Sequence, residues 1–181
     1  MPIFPTLRKG RNHEVSGLRI ETFKETNLKK LLTWTKTERE LRMWAGETFS
    51  KIPDANAFRT HLKRPRVKSY QARDKWGRFI GYAELVELTK GSCTLCRVII
   101  DPARRGMGSG KALVESLSRQ AFEHLGYRRL LLNVFTFNVP AVRCYRSLGF
   151  RPLPKSPKPR SYRGQIWNLV IMEKQAPAKA A

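Results

Sequence analysis

Acidic residues are scarce in this chain: 14 Asp and Glu stand against 36 Lys and Arg over 181 residues, a formal net charge of +22. That imbalance argues against a small cationic ligand unless its site is locally acidic, and it favours polyanions: nucleic acid, ribonucleoprotein surfaces, acidic protein tails or anionic lipid. Long apolar runs are also missing. No stretch reaches the about 18 residues of a membrane span. The first sixteen residues lack an apolar core of signal-peptide length. Cysteine is rare and odd in number, with Cys93, Cys96 and Cys144 only. This fits a reducing compartment, hence a cytoplasmic location, rather than a disulfide framework. Cys93-x-x-Cys96 has no second Cys or His pair beside it, and two residues three apart on a strand face opposite ways. His13, His61 and His124 are scattered. No metal site is expected, and there is no internal repeat.

Against these absences stands one dense stretch, Cys96 to Gly110. Val98, Ile99 and Ile100 form a β-branched run that reads as a buried strand. Asp101-Pro102 ends it, because proline offers no N–H to a ladder. An Arg/Gly loop follows, then Leu113, Val114, Leu117, Ala121 and Leu125 at helical spacing from Lys111. Gly126 stands where a helix C-cap glycine belongs. A strand, a glycine turn and a helix start together make an anion site, suited to phosphate. The P-loop template fails here: Arg105 fills its first glycine and Ala112 its Ser/Thr. The dinucleotide template G-x-G-x-x-G, started at Gly106, meets Lys111 in place of its third glycine. A third pattern, R/Q-x-x-G-x-G/A, is met by Arg105, Gly108 and Gly110.

A second motif lies downstream of a strand-like run, Arg129 to Val134. From Asn138 to Phe150 the chain fits N-x-x-A-x-x-x-Y-x-x-x-G-F, with Asn138, Ala141, Tyr145, Gly149 and Phe150 in the fixed places. In these two motifs and their order the chain resembles the GNAT superfamily of N-acetyltransferases. The resemblance spans Leu18 to Glu173, although the part before Cys96 matches only in its order of elements.

The resemblance implies an α/β (α+β) GNAT fold, with a mixed central sheet of about six to seven strands flanked by about four helices. It divides the chain into a flexible basic tail over 1–16, an acetyltransferase domain over 17–173 and a disordered tail over 174–181. It implies acetyl-CoA as cofactor, with Arg105, Gly106, Met107, Gly108, Ser109 and Gly110 around its pyrophosphate and Lys111 nearby. It gives Asn138 a contact to the pantetheine arm and Tyr145 the role of general acid to the leaving sulfur. A phenol with a pKa near 10 suits protonating a thiolate. Backbone groups of Val98 and Ile100 can grip the pantetheine arm as an added strand and polarise the thioester oxygen. In this family the strand holding Glu84 and Glu87 often carries the general base. Those two face opposite ways, and Glu84, mid-strand between Ala83 and Leu85, is the expected base.

The remaining segments read as follows. Leu18 to Phe23 alternates as a strand. A helix begins at Leu28 behind a Thr26 or Asn27 cap, and a second carries Leu41 and Trp44 up to Gly46. Trp34, Trp44 and Phe49 line the acceptor cleft or sit in the core; their spacing allows both. A short helix follows Pro53-Asp54, and Lys63 to Lys68 is a basic link. Ser69–Arg73 and Phe79–Leu88 form a hairpin around Asp74-Lys75-Trp76-Gly77-Arg78, and Thr94–Ile100 is the next strand. Arg151 to Arg160, with four prolines and four cations, is an irregular loop. Gln165 to Met172 reads as one final strand.

The function expected is acetyl transfer to a primary amine borne on a protein or an RNA-linked acceptor, such as a ribosomal protein or a charged tRNA. The rival is a GNAT-fold RNA-binding structural subunit of a ribonucleoprotein such as a ribosome, with little or no catalysis. A homodimer stays open, and no membrane span is expected.

Overall fold

Six strands of five or more residues form the frame: β2 (Leu18–Thr22), β3 (Val67–Arg73), β4 (Phe79–Thr89), β5 (Ser92–Ile100), β6 (Arg129–Phe135) and β10 (Leu169–Gln175). Two-residue strands, β1 (Glu14–Val15) and β7 (Arg151–Pro152), sit at the edges, giving the order β1-β2-β3-β4-β5-β6-β10-β7. The computed structural model describes residues 14–15, 17–155 and 157–178. All neighbours pair antiparallel except β5 and β6, which run parallel. Their crossover is helix α4 (Ser109–Arg119), which runs on into a π turn at Gln120–His124. This is the strand–loop–helix–strand unit expected around Gly106, with the helix starting two residues before Lys111.

Among the described residues five α-helices appear where about four were expected. Besides α4 they are α1 (Leu28–Leu32), α2 (Glu38–Ala45), α3 (Ala55–Leu62) and α5 (Val139–Ser147). Caps set their starts. Thr37 and Glu40 form a reciprocal capping box on α2, and Asp54 accepts the Ala57 amide on α3. Gly46 closes α2 at φ 57°, a left-handed angle that a side chain would strain.

Two apolar clusters form. One gathers α4 (Leu113, Val114, Leu117) with Ile80, Leu85, Leu95 and Ile100. The other gathers α1–α3 (Leu28, Leu31, Leu41, Phe58) with Phe79, Tyr82 and Ile99. Strands β4 and β5 feed both, so the sheet is covered on its two faces.

Three expectations change. The final strand is two: Gln165–Trp167 (β9) pairs with Arg160–Tyr162 (β8) in a separate hairpin, and β10 begins only at Leu169. The proline-rich stretch is not wholly irregular, because Arg151 and Pro152 pair with Glu173 and Met172 at the sheet edge, where proline is tolerated. The domain runs past 173: β10 reaches Gln175, and the Ala176 amide donates to Arg128 O at 2.9 Å. Of the tail expected over 1–16, only Glu14–Val15 is described, paired with β2. Residues 1–13, 16 and 179–181 of the two expected tails lie outside the described residues.

Gly81 marks the close approach of α4 to the sheet. A Cβ there would lie 2.9 Å from Ile100 Cδ1 and 3.2 Å from both Ala72 Cβ and Leu113 Cδ2. Gly81→Val should lift α4 and lower stability by about 1–3 kcal/mol, read as a fall in the urea midpoint. An unchanged midpoint would show that α4 does not depend on this contact.

Candidate active site

Strands β5 and β6 pair at only three positions, Ser92↔Arg129, Cys93↔Leu130 and Thr94↔Leu131. Beyond them the two strands part. The cause lies on the other side of β5. There the register against β4 steps from Tyr82↔Ile99 to Glu84↔Cys96, so β5 holds one extra residue. Such a bulge bends its strand. Arg97 sits in it with φ 50°, a left-handed angle that costs a side-chain-bearing residue about 1–3 kcal/mol.

The bulge is held from three directions. Trp44 Nε1 donates to Arg97 O at 2.7 Å, the Arg97 guanidinium donates to Thr48 Oγ1 at 3.0 Å, and it donates again to Glu84. Glu84 is fully buried and also takes His61 Nε2 at 2.9 Å and the Tyr82 hydroxyl at 2.6 Å. Burial alone would raise its carboxyl. The His61 and Arg97 hydrogen bonds and the Arg97 charge outweigh burial and hold it at about 2.

Where the strands part, a cavity of about 720 Å³ opens. Val98 and Ile100 line it from β5, Arg105, Gly106 and Gly110 from the loop, and Asn138 and Tyr145 from α5. The structure thus gathers these seven expected residues at one cleft. Met107, Gly108 and Ser109 instead line a second cavity, of about 330 Å³, on the far side of the loop. Lys111 is exposed and lines neither cavity, though its charge reaches the Cys144 thiol.

The loop suits a diphosphate. Gly106 and Gly108 take φ 74° and 78°, which turns successive amides to one side. Ala112 is the first amide to return to the chain, on Gly108 O at 3.0 Å, and among the described residues no carbonyl takes those of Gly106 to Lys111. They stand at the positive end of an eleven-residue helix. Arg105 is fixed beside them by donating Nε to Ile100 O at 3.2 Å.

Asn138 caps α5, its Oδ1 accepting the Ala141 amide at 3.4 Å, which leaves its amide NH2 for a ligand. Tyr145 is half-buried and edge-on to Phe150 at 5.9 Å. Burial, then the neighbouring Cys144 and Cys96, push its phenol above the ordinary value. It therefore keeps its proton throughout the neutral range.

Glu84 requires a correction. It does not line the cleft; it lies behind Arg97 with its oxygens occupied, and so low a value makes it a poor proton acceptor. Glu87 is exposed and does not line the cleft either. Arg97, Thr48 and His61 were not singled out from the sequence. The one available signal was a lone cation, Arg97, inside an apolar strand. Trp34 and Trp44 answer both readings open to them, being buried and lining the cleft. Phe49 only packs, 5.6 Å from Phe58. Cys93 and Cys96 are free thiols. Among the described residues, no helix is long and apolar enough to cross a membrane.

A split sheet with an anion-binding turn at its open end defines a class of acyl-carrier-using transferases, and comparison with known proteins narrows the class. The Acetyltransferase (GNAT) family model matches residues 28–150. An uncharacterized N-acetyltransferase of Schizosaccharomyces pombe is 32% identical over 128 residues, 69% of this chain and 74% of the relative. Spermidine N-acetyltransferase from Vibrio cholerae, solved with CoA and spermine, superposes with a TM-score of 0.76 at 18% identity, covering 89% of this chain and 96% of that one. A dodecameric structure of the same enzyme gives 0.70 at 18% identity over 89% and 95%. The chain belongs to the GNAT acetyltransferase family. It is an N-acetyltransferase, and its donor is acetyl-CoA.

Glu84→Gln should leave the Arg97 charge uncompensated in the interior and cost about 3–5 kcal/mol at neutral pH. Since the folded value of Glu84 lies below its ordinary 4.5, its stabilisation is whole above that pH and fades as pH falls toward 2. The gap between wild type and variant, measured by denaturant titration, should therefore narrow with acid. A gap that stays constant down to pH 3 would contradict the ion pair.

Proposed function

We propose that this N-acetyltransferase acts on a primary amine carried by a polyanionic acceptor, a protein of a ribonucleoprotein or an amine linked to RNA. The observation that carries this reading is the charge at the acceptor end of the cleft. Only two carboxylates line it, and both have partners. Glu40 accepts the Lys36 and Thr37 amides at 2.7 and 3.1 Å, and Glu47 pairs with Arg160 at 3.5 Å. Arg97, Arg105 and Arg160 line the same cavity. A free polycation meets no unpaired acid there, whereas an amine delivered on a phosphate-rich body is drawn to a protein of net charge +22.

Acetyl-CoA supplies an activated thioester. In this reading Arg105 and the amides around Gly106 hold its diphosphate, the unpaired edge of β5 at Val98 and Ile100 aligns the arm, and the Asn138 amide donates to it. Backbone N–H groups on that edge polarise the reacting carbonyl. Tyr145 holds the proton for the departing sulfur. With Glu84 shut behind Arg97, the amine sheds its proton to water at the open mouth, where Glu47 is exposed. Three free thiols agree with a cytoplasmic setting.

Acetyl-CoA at about a hundred times its Kd should stabilise the protein by roughly 2.7 kcal/mol, visible as a thermal shift. Gly106→Glu, which sets a carboxylate against the diphosphate, should abolish it. Tyr145→Phe should lower kcat about a hundredfold or more with the acetyl-CoA KM little changed. For the acceptor, labelled acetyl-CoA is supplied with ribosomes, tRNA and spermidine in one mixture. Label on a macromolecule supports the reading; label on spermidine alone overturns it.

A further inference from the structure

The second cavity lies across the α4 N-terminus from the cleft, between Leu18, the β3–β4 turn, Arg104 and the loop Met107–Ser109. On its rim Trp76 is 65% exposed, while Trp34, Trp44 and Trp167 are all buried. An indole left in water at a hairpin tip adds little to folding. The turn is made without it: the Asp74 carboxylate accepts the Trp76 and Arg78 amides at 3.0 Å, and Gly77 takes the left-handed angle. Cations surround the ring. Lys75 Nζ and Arg78 Cζ stand 4.4 and 4.5 Å from its centroid, and Arg104 lines the same hollow. Asp74 is the one acid lining the hollow, and it is already paired with Arg78 at 2.7 Å.

We propose that Trp76, with Lys75, Arg78 and Arg104, is a docking site for single-stranded RNA. One base stacks on the indole while Lys75, Arg78 and Arg104 meet the flanking phosphates. An exposed indole beside cations holds unpaired bases without sequence readout, and the Lys75 ammonium, which lies over the ring and has no carboxylate partner among the described residues, is the group a base displaces toward a phosphate. An acidic peptide would use the cations but not the ring, and a lipid surface needs several apolar anchors rather than one indole. The inference deepens the polyanionic-acceptor reading and rests on it: RNA bound here lies beside the donor loop without entering the cleft.

The full chain is titrated with a short oligouridine, following tryptophan emission, to which Trp76 contributes the one solvent-exposed indole among the described residues. Emission should be quenched to saturation. Trp76→Leu should remove most of the quench and weaken binding about tenfold or more, while the acetyl-CoA thermal shift persists. Lys75→Gln and Arg104→Gln should each reduce the slope of log affinity against log salt by about one. Undiminished RNA affinity in Trp76→Leu would overturn the site yet leave the acceptor reading standing. Absence of RNA binding at low salt would overturn it too. Acetyl label found only on spermidine would defeat the acceptor reading separately.

Discussion

The buried pair of Glu84 and Arg97 is the contact on which the rest of the molecule depends. Arg97 occupies a backbone angle that disfavours side chains, and it does so inside a strand. Without an internal anion its guanidinium would seek water and the bulge would relax. β5 would then continue beside β6, and the cleft would close into sheet. With Glu84 held ionised by His61 and Arg97, the bulge is locked, and β5 presents a free edge where a parallel ladder would otherwise run. The cavity is thus a fault in a sheet, maintained by an ion pair on its reverse side.

Around that fault the chemistry is divided among elements that pack for other reasons. Helix α4 is seated by Leu113 against Gly81, and the same seating aims its amide-rich end at the cleft mouth. Helix α5 starts from the Asn138 cap, and about two turns further on it brings Tyr145 into the cleft. Helix α2 sends Trp44 to the Arg97 carbonyl, so the acceptor wall and the bulge are parts of one structure. The β8–β9 hairpin leans on α2 through Arg163 with Glu38 at 3.1 Å, and on the turn after α2 through Arg160 with Glu47 at 3.5 Å. These pairs are exposed and individually weak.

Much of the donor half was legible in the sequence, because it is built from local signals. Arg105, Gly106 and Gly110 follow a strand and open a helix, and a glycine turn in that setting has few other uses. Asn138 and Tyr145 lie on one short helix, where spacing converts directly to position. The acceptor half was not legible. Glu84 sits mid-strand, and only the partners brought to it from β5 and α3 show that it serves as an anchor. The loop itself was read as a unit, yet it faces two ways, with Met107, Gly108 and Ser109 turned from the cleft.

The sequence by itself determined the fold family, the glycine turn that opens α4, the short helix that carries Asn138 and Tyr145, and the surplus of positive charge. Each of these rests on contiguous residues whose conformational preferences or titration are intrinsic. Tertiary structure alone decided that β5 carries a bulge, that Glu84 is sealed away from the reaction, and that the final strand breaks at Asn168. It alone decided that Trp76 is left outside the core while three other indoles are taken in. The first two outcomes depend on residues 13 to 53 positions apart meeting in space. Register and burial settle such meetings, and neither can be read from spacing along the chain.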